Sequence, residues 1–550
     1  MIFFRFFHTI RYLKPIQVYG RIWFKLKKVK LDKSLFPISA RPIDNSWIAH
    51  CKKKCSFFSP SSFKFLNVKH KLSSPEDWNN QNWDTLWIYN LHYFDFLQSS
   101  DAENKKADSL SVIEKWIKEN PPGYMLGWDS YPISLRIVNW IKWRFMGEFL
   151  SENALESLAV QTDYLYQKLE FHLLGNHLFA NAKALVFAGL FFTGEKAEKW
   201  LSTGLKILDA EIDEQVLKDG GHFERSPMYH AIILEDIFDL VNVSQMFSGK
   251  LPDRIHVKLR KTAERMIKAM SVMTHPDGEI AFFNDSAIGI AANLDDLAQY
   301  AKRLGILIDK SQEFIIEKLP DTGYYSLIRK NMKLIIDLAL IGPDYLPAHA
   351  HADTLSFELS VGTQRVLVNS GTSCYGESHE RLRQRKTPAH NTLTIDNYDS
   401  SEVWKGFRVA RRAKVFNHQI NDSDNNYIIS ASHDGFKRLK SVREHNRVWD
   451  FNDKHLIIID RIIGSGVHLV SMYYHFHPQI VLKTNTDGSV NIFNIRDEFL
   501  CVMKFDKAMN ITVNSGTYHP EFGLSIENKY ILCKAEGEFP VNFTTRLEFV

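Results

Sequence analysis

At 550 residues and 63.8 kDa the chain exceeds what one hydrophobic core ordinarily serves, so two domains with an N-terminal extension are expected. A hydrophobic share of 45% and a charged share of 24% are those of a globular protein, and a formal net charge of +4 over this length supplies no field for nucleic acid. The five cysteines are odd in number and sparse, which argues against a disulfide framework.

From Arg5 to Lys30 the chain carries Arg11, Lys14, Arg21, Lys25, Lys27 and Lys28 without a carboxylate, interleaved with Phe3, Phe4, Phe6, Phe7, Tyr12, Tyr19, Trp23 and Phe24. Such a segment suits peripheral contact with an anionic membrane through residues 1–30, and equally a basic helix packed on the protein body. Its apolar stretch is broken by Arg5, His8 and Arg11 and ends at no small-residue site, so a cleaved signal peptide is not expected. No apolar run is long enough to span a bilayer. CKKKC at 51–55 resembles half a zinc site without a second pair, so Cys51, Cys55, Cys374, Cys501 and Cys533 are read as free thiols. Residues 1–74 together are read as a basic, aromatic extension.

Over 75–318 apolar residues recur at three- and four-residue spacing, most clearly in SLRIVNWIKWRFM (134–146), LFANAKALVFAGLFF (178–192), HAIILEDIFDLVNVSQMF (230–247) and RKTAERMIKAMSVM (260–273). Several are apolar around much of their circumference, which fits a multi-layered helical array better than an isolated bundle. Polar islands interrupt it. GWDSYPISLR holds Trp128, Asp129, Tyr131 and Arg136; LLGNHLFANAK holds Asn176, His177 and Asn181, the last two one turn apart on one face; HPDGEIAFFNDSA holds His275, Asp277, Glu279, Asn284 and Asp285. DGGHFERSPMYH is a Gly-rich loop with His222, Glu224, Arg225 and Tyr229, in which Ser226 and Pro227 are the cap and first residue of the next helix.

After LPDTG at 319–323 the period changes to two: KLIIDLAL, LSFELSV, RVLVNSG, NTLTID, KHLIIIDRII, HLVSMYYHFH and YILCKA read as strands, and 319–550 as an antiparallel β-sandwich. The fold class is thus α+β with segregated domains and a cleft between them. AHAHADTLSFELSV (348–361) is read as one strand, placing His349, His351 and Asp353 on the face that continues as Leu355, Phe357 and Leu359. Imidazoles two residues apart can address one pocket, as proton carriers or metal ligands. VNSGTSCYG and RLRQRKTPAHNTLTID add Asn369, His390 and the arginines Arg381, Arg383 and Arg385, which suit a carboxylate or sulfate on a substrate.

The set GNHLFANAKALVFAGLFF, GGHFERSPMYH, HAHADTLSFEL, VNSGT and PAHNTLTID with SSEVWKGFRVARRA resembles the heparinase II/III family of polysaccharide lyases, in particular members associated with bacterial surface-polysaccharide gene clusters. The resemblance runs from about residue 75 to the C-terminus and implies an N-terminal α/α toroid, an incomplete helical barrel, followed by an antiparallel β-sandwich. It implies β-elimination at a 4-linked uronic acid of an acidic polysaccharide. In that chemistry a carboxylate is neutralised, the C5 proton is removed and the departing O4 is protonated. By the same resemblance Asn176 and His177 hold the uronate carboxylate, Tyr229 is the base and also a candidate acid, and His349 is its acid/base partner. Glu224, Arg225, Trp128, Tyr131 and Arg383 are candidate substrate contacts. His351 and His390 match positions that, with an aspartate, bind a structural divalent ion, zinc or calcium. Asn369 stands at the aspartate position, and an amide oxygen is a weaker ligand than a carboxylate.

Three competitors share the scaffold: a uronyl C5-epimerase, a glycoside hydrolase using two of Glu224, Glu279 and Asp285, and a glycan-binding or assembly protein without turnover. The resemblance points to the bacterial envelope and the N-terminus does not, so compartment and oligomeric state stay open.

Overall fold

The computed structural model describes residues 2–31, 39–43, 46–58, 61–307, 316–423 and 426–549. Helices α1 (Ile2–Ile10) and α2 (Pro15–Leu26) lie on the surface of the protein, and a short antiparallel sheet follows, with strands Phe57–Phe58, Ser62–Phe65 and Val68–Lys71. This sheet is no detached extension. Phe57, Phe63 and Phe65 are buried against Phe96 and Trp87, in the core of the helical region, so the body begins well before residue 75.

The helical region contains α3 (Thr85–Tyr93), α4 (Lys106–Glu119), α5 (Ser130–Phe145), α6 (Glu152–Gln167), α7 (Gly175–Phe191), α8 (Glu195–Gln215), α9 (Pro227–Met246), α10 (Asp253–Val272) and α11 (Leu294–Arg303). They form two layers: α3, α5, α7 and α9 stand side by side, with α4, α6, α8 and α10 packed behind them. The front helices are buried nearly all round, as their continuous apolar sequence demands. Small residues let the layers close on one another. A Cβ on Gly189 would lie 2.6 Å from the Leu201 amide nitrogen, and one on Gly204 would lie 2.9 Å from the Ala182 carbonyl, so α7 and α8 meet backbone to backbone. At the head of α9, Ser226 Oγ accepts the Tyr229 amide hydrogen at 3.1 Å and Pro227 fills the first turn, as the sequence predicts.

The second half is antiparallel sheet. Five strands, Ile316–Leu319, Tyr324–Arg329, Met332–Asp337, Phe357–Val361 and Gln364–Leu367, pair in chain order. LPDTG is therefore a hairpin turn and not a linker: Leu319 pairs with Tyr324 across it, and the β region has begun by Ile316. A four-stranded sheet runs in the order Asn510–Tyr518, Ile526–Glu538, Val467–His475, Leu393–Ile395. An eight-stranded sheet runs from Val415–Ser423 through Asn426–His433, Val442–Phe451, His455–Gly464, Val541–Phe549, Phe499–Phe505 and Val490–Asn494 to Ile480–Thr484. All three send apolar side chains into one core, exemplified by Phe357, Trp449 and Met472. Among the described residues one α-helix, α12 (His379–Arg385), interrupts the β region, and a 3-10 turn over Thr387–Ala389 follows it.

The halves are fused. Ala269 and Val272 of α10 pack against Tyr324 and Ile335 of the five-stranded sheet, and Tyr518 and Phe522 join the helical core. The five cysteines are free thiols.

Candidate functional site

Between α3, α5, α7 and α9 on one side and loops of the β region on the other lies a cavity of about 780 Å³. That is room for a few sugar rings. Asn176 and His177 enter it from the first turn of α7, Tyr131 from α5, Tyr229 from α9, and His349 and Tyr375 from the β-region loops. Five chain segments distant in sequence thus converge.

The segment carrying His349 is not a strand. The backbone from Ala348 to Ser356 is irregular and the strand starts only at Phe357, because Leu355 adopts a left-handed φ of 62° that no strand allows. Its partners are elsewhere in the chain. The Asp285 amide donates to the His349 carbonyl at 2.9 Å, the His351 amide to Asn284 Oδ1 at 2.9 Å, and the Asn284 amide to Asp353 Oδ2 at 2.9 Å. Arg385 donates to the Ala350 carbonyl at 2.8 Å. The loop is thereby held by side chains where a strand would be held by a ladder.

Asp285 is the organising group. It is wholly buried; His349 Nδ1 lies 2.9 Å from its Oδ2, His351 Nε2 lies 2.8 Å from its Oδ1, and Arg381 of α12 grips both oxygens with its fork. Burial alone would raise this carboxyl, but the Arg381 cation and the two imidazoles hold it well below the usual range. An ionised carboxylate only accepts, so Nδ1 of His349 and Nε2 of His351 carry hydrogens, and His351, kept neutral by burial, has a bare lone pair at Nδ1. The His349 ring lies on that of Tyr229, with centroids 3.9 Å apart. The Tyr229 hydroxyl is 3.1 Å from that of Tyr375. Burial and the neighbouring Tyr375 push the Tyr229 phenol well above its ordinary value, so its hydroxyl is neutral in the free protein.

His177 stacks on Tyr131 at 4.5 Å, and its Nδ1 lies 3.2 Å from Glu170 Oε1. Burial disfavours its charge, yet the Glu170 carboxylate prevails and raises it. Asn181, one turn on, donates to Glu170 Oε2 at 3.0 Å and accepts from the Glu170 amide at 2.8 Å, so its role is to fix Glu170.

The other expected contacts are placed differently. Trp128 is buried with its indole on the Asn120 carbonyl at 3.0 Å, and Arg225 turns away to the Leu340 and Gly342 carbonyls at 3.0 and 3.2 Å. Arg383 pairs with Glu380 at 2.7 Å; neither it, nor Trp128, nor Arg225 lines the cavity. Glu224 is buried behind His349, 3.6 Å from Nε2, with its carboxyl raised by burial against the pull of His349 and His177. None of Glu224, Glu279 and Asp285 lines the cavity, so the carboxylate pair expected of a hydrolase is not formed by these residues. Sequence reasoning missed Glu170 and Tyr375: Tyr375 meets a tyrosine far along the chain, while Glu170 stands just ahead of the Asn176–His177 motif and only the turn between them brings it to the histidine.

Outside the cavity lining, His351, His390 and Asp353 bring one ligand atom each within 4.8 Å of one another, all buried. His351 Nδ1 and both ring nitrogens of His390 have no hydrogen-bond partner. Asn369 departs from its expected place as third ligand. Its Oδ1 accepts the Asn391 amide hydrogen at 3.0 Å, which leaves Nδ2 without a lone pair to give. Bare imidazole nitrogens beside a carboxylate are the donor set a divalent ion of borderline softness takes, so the residues fit one, with Asp353 in place of Asn369.

Two family models match, Heparinase II/III N-terminus over residues 57–305 and Heparinase II/III-like, C-terminal, over 313–540, and the chain belongs to the heparinase II/III family. The heparin-sulfate lyase of Bacteroides thetaiotaomicron is 24% identical over 466 residues, which cover 74% of this chain and 63% of that protein. That of Pedobacter heparinus is 28% identical over 351 residues, 59% of this chain and 50% of the relative. The chain thus spans between half and two thirds of the length of the heparin-sulfate lyases it matches. A crystal structure of heparinase III shares the fold at a TM-score of 0.65 and 17% identity, over 98% of this chain and 91% of that one.

Proposed function

We propose that this protein cleaves an acidic polysaccharide by β-elimination at a uronic acid bound in the cavity. The observation that carries the reading is the convergence of two groups on one cavity: His177, whose charge Glu170 favours, with Asn176 from α7, and the ring pair Tyr229–His349, with centroids 3.9 Å apart. His177 and Asn176 take the uronate carboxylate and stabilise the charge that develops on it as the C5 proton leaves. His349 Nε2, the ring nitrogen that Asp285 does not occupy, accepts that proton. The C5–H electrons form the C4–C5 double bond as the C4–O4 bond breaks, and the Tyr229 hydroxyl protonates O4. A phenol raised by burial suits this donor role better than the role of base. Because both groups lie on one wall, the geometry favours uronates whose H5 and O4 share a face of the ring, the glucuronic configuration.

Purified protein incubated with glucuronate-containing glycosaminoglycans is expected to generate the ultraviolet absorbance of an unsaturated uronate. Cleavage without that absorbance, or inversion at C5 without cleavage, would sink the reading in favour of a hydrolase or an epimerase.

The His177 charge makes substrate binding depend on pH. Its folded value is raised, so the charge is complete below the ordinary imidazole value of about 6.5 and is lost as pH rises through the higher one. KM for an acidic glycan should therefore climb roughly tenfold or more across that rise, the worth of a charge-assisted hydrogen bond of about 1.5–3 kcal/mol. His177→Gln should start from the high KM and vary far less; a wild-type KM indifferent to pH would remove His177 from the carboxylate.

A divalent ion, zinc or calcium, held by His351, His390 and Asp353 would serve the structure by tying the loop of His349 to the strand entry at His390. Elemental analysis of the purified protein should find the metal, Asp353→Asn should lose it, and Asn369→Asp should keep it. Chelation should cost about 3 kcal/mol of stability where free ion stands at a hundredfold Kd. A metal content unchanged in Asp353→Asn would take Asp353 out of the site.

A further inference from the structure

The two opening helices expose what soluble surfaces usually hide. On α1, Phe3 is 87%, Phe4 69% and Phe7 58% exposed; on α2, Ile22 is 60%, Trp23 66% and Leu26 72% exposed. At 100° per residue Phe3, Phe7 and Ile10 fall on one side of α1, and Val18, Ile22, Leu26, Tyr19 and Trp23 on one side of α2. The opposite sides are anchored. Arg5 lies 3.6 Å from Glu402, the Trp404 indole donates to Thr9 Oγ1 at 3.1 Å, Gln17 is buried with its amide on the Tyr345 carbonyl at 3.2 Å, and Gly20 packs against His172. Both helices are therefore docked with their apolar faces outward.

Arg11, Arg21, Lys25, Lys28 and Lys30 are exposed around these faces, and no carboxylate occurs from residue 2 through 31. Among the described residues no helix is long and apolar enough to cross a membrane. An apolar face rimmed by cations alone is complementary to one kind of surface, a bilayer with anionic headgroups, where rings sink to the acyl boundary and the cations pair with phosphates. We propose that α1 and α2 form a monotopic membrane-docking surface for anionic lipid. The hairpin of Val403–Trp404 and Arg408–Val409 that carries α1 also sends Phe407 into the cavity wall. Docking therefore places the cavity one hairpin away from the lipid surface.

The test is flotation of the full chain with vesicles of phosphatidylcholine alone or mixed equally with phosphatidylglycerol. The protein should float with the mixed vesicles and not with phosphatidylcholine, and binding should fall as salt is raised toward a Debye length of about 10 Å at 0.1 M. Phe3→Ser/Phe7→Ser/Trp23→Ser should partition at least about tenfold more weakly, since it removes the buried rings. Arg21→Glu/Lys25→Glu/Lys28→Glu should abolish the preference for phosphatidylglycerol. These side chains are exposed, so both variants should melt with the wild type; should either unfold, the lipid and salt dependence of the wild type still decides. Failure to float with either vesicle overturns the proposal, as does binding insensitive to both substitutions. Self-association in light scattering that the Phe and Trp substitutions abolish, without flotation, would assign the face to a second copy of the chain instead.

Discussion

Tyr229→Phe is expected to lower turnover about 10²–10⁴-fold, the usual worth of a positioned acid or base, while leaving glycan binding and the fold intact. The substitution deletes one oxygen. Its partner is the Tyr375 hydroxyl at 3.1 Å, so the loss in stability should not exceed about 1.5 kcal/mol, and the ring remains stacked on His349 at 3.9 Å. KM should change little, because Tyr229 is neutral in the free protein and the groups proposed to bind the carboxylate, Asn176 and His177, stand on α7. Initial rates of unsaturated-product formation, with binding measured separately by calorimetry, separate the outcomes. Full turnover in Tyr229→Phe would move the proton donor elsewhere, with Tyr375 next in line; loss of binding along with turnover would make Tyr229 a packing residue.

Asp285→Asn is expected to be the most destabilising single change at the site, by about 3–5 kcal/mol. The side chain keeps its shape and loses its charge, so Arg381 is left wholly buried with its cation uncompensated between the rings of Tyr375 and Phe407. The hydrogens on His349 Nδ1 and His351 Nε2 lose the ion that oriented them, and turnover should fall with stability. Urea denaturation of the wild type and the variant reads the first effect directly. Adding Arg381→Met to Asp285→Asn should recover part of the loss, since two neutral groups do not carry the desolvation that one unpaired charge does. A single variant within about 1 kcal/mol of the wild type would mean the Asp285–Arg381 pair does not carry the site. The same carboxylate sets an acid limit. Its folded value is depressed, so its stabilisation is present above the unfolded value of about 3.9 and disappears as pH falls through the folded one.

Much of the scaffold was legible in the chain. The apolar spacing of LFANAKALVFAGLFF marks α7 to within a few residues, and Ser226–Pro227 marks the head of α9, because helix periodicity and capping are local physics. KHLIIIDRII and HLVSMYYHFH are strands for the same reason. AHAHAD misleads because its alternation of small and polar residues mimics a strand, while the loop is held by Asn284, Asp285 and Arg385, which no local pattern connects to it. LPDTG reads correctly as a turn but not as a boundary, since only pairing across it shows that both arms are strands.

The site divides along the same line. Sequence alone singled out the histidines of 349, 351 and 390 and the Asn176–His177 pair, since unusual polar groups in apolar runs mark themselves, whereas Tyr229 gained a role only from the family resemblance. Tertiary structure decided what each one touches. Three arginines with equal claims became a buried partner of Asp285, an anchor of the Ala350 carbonyl and a surface ion pair, according to where α12 lies. Asp285, read in the sequence only as one of three candidate hydrolase carboxylates, became the hub of His349, His351 and Arg381, and Asp353 is the carboxylate that lies with the two buried histidines. The reason is physical: propensity and periodicity act over a few residues, whereas hydrogen-bond partners, charge compensation and burial are settled only when segments a hundred residues apart are brought together.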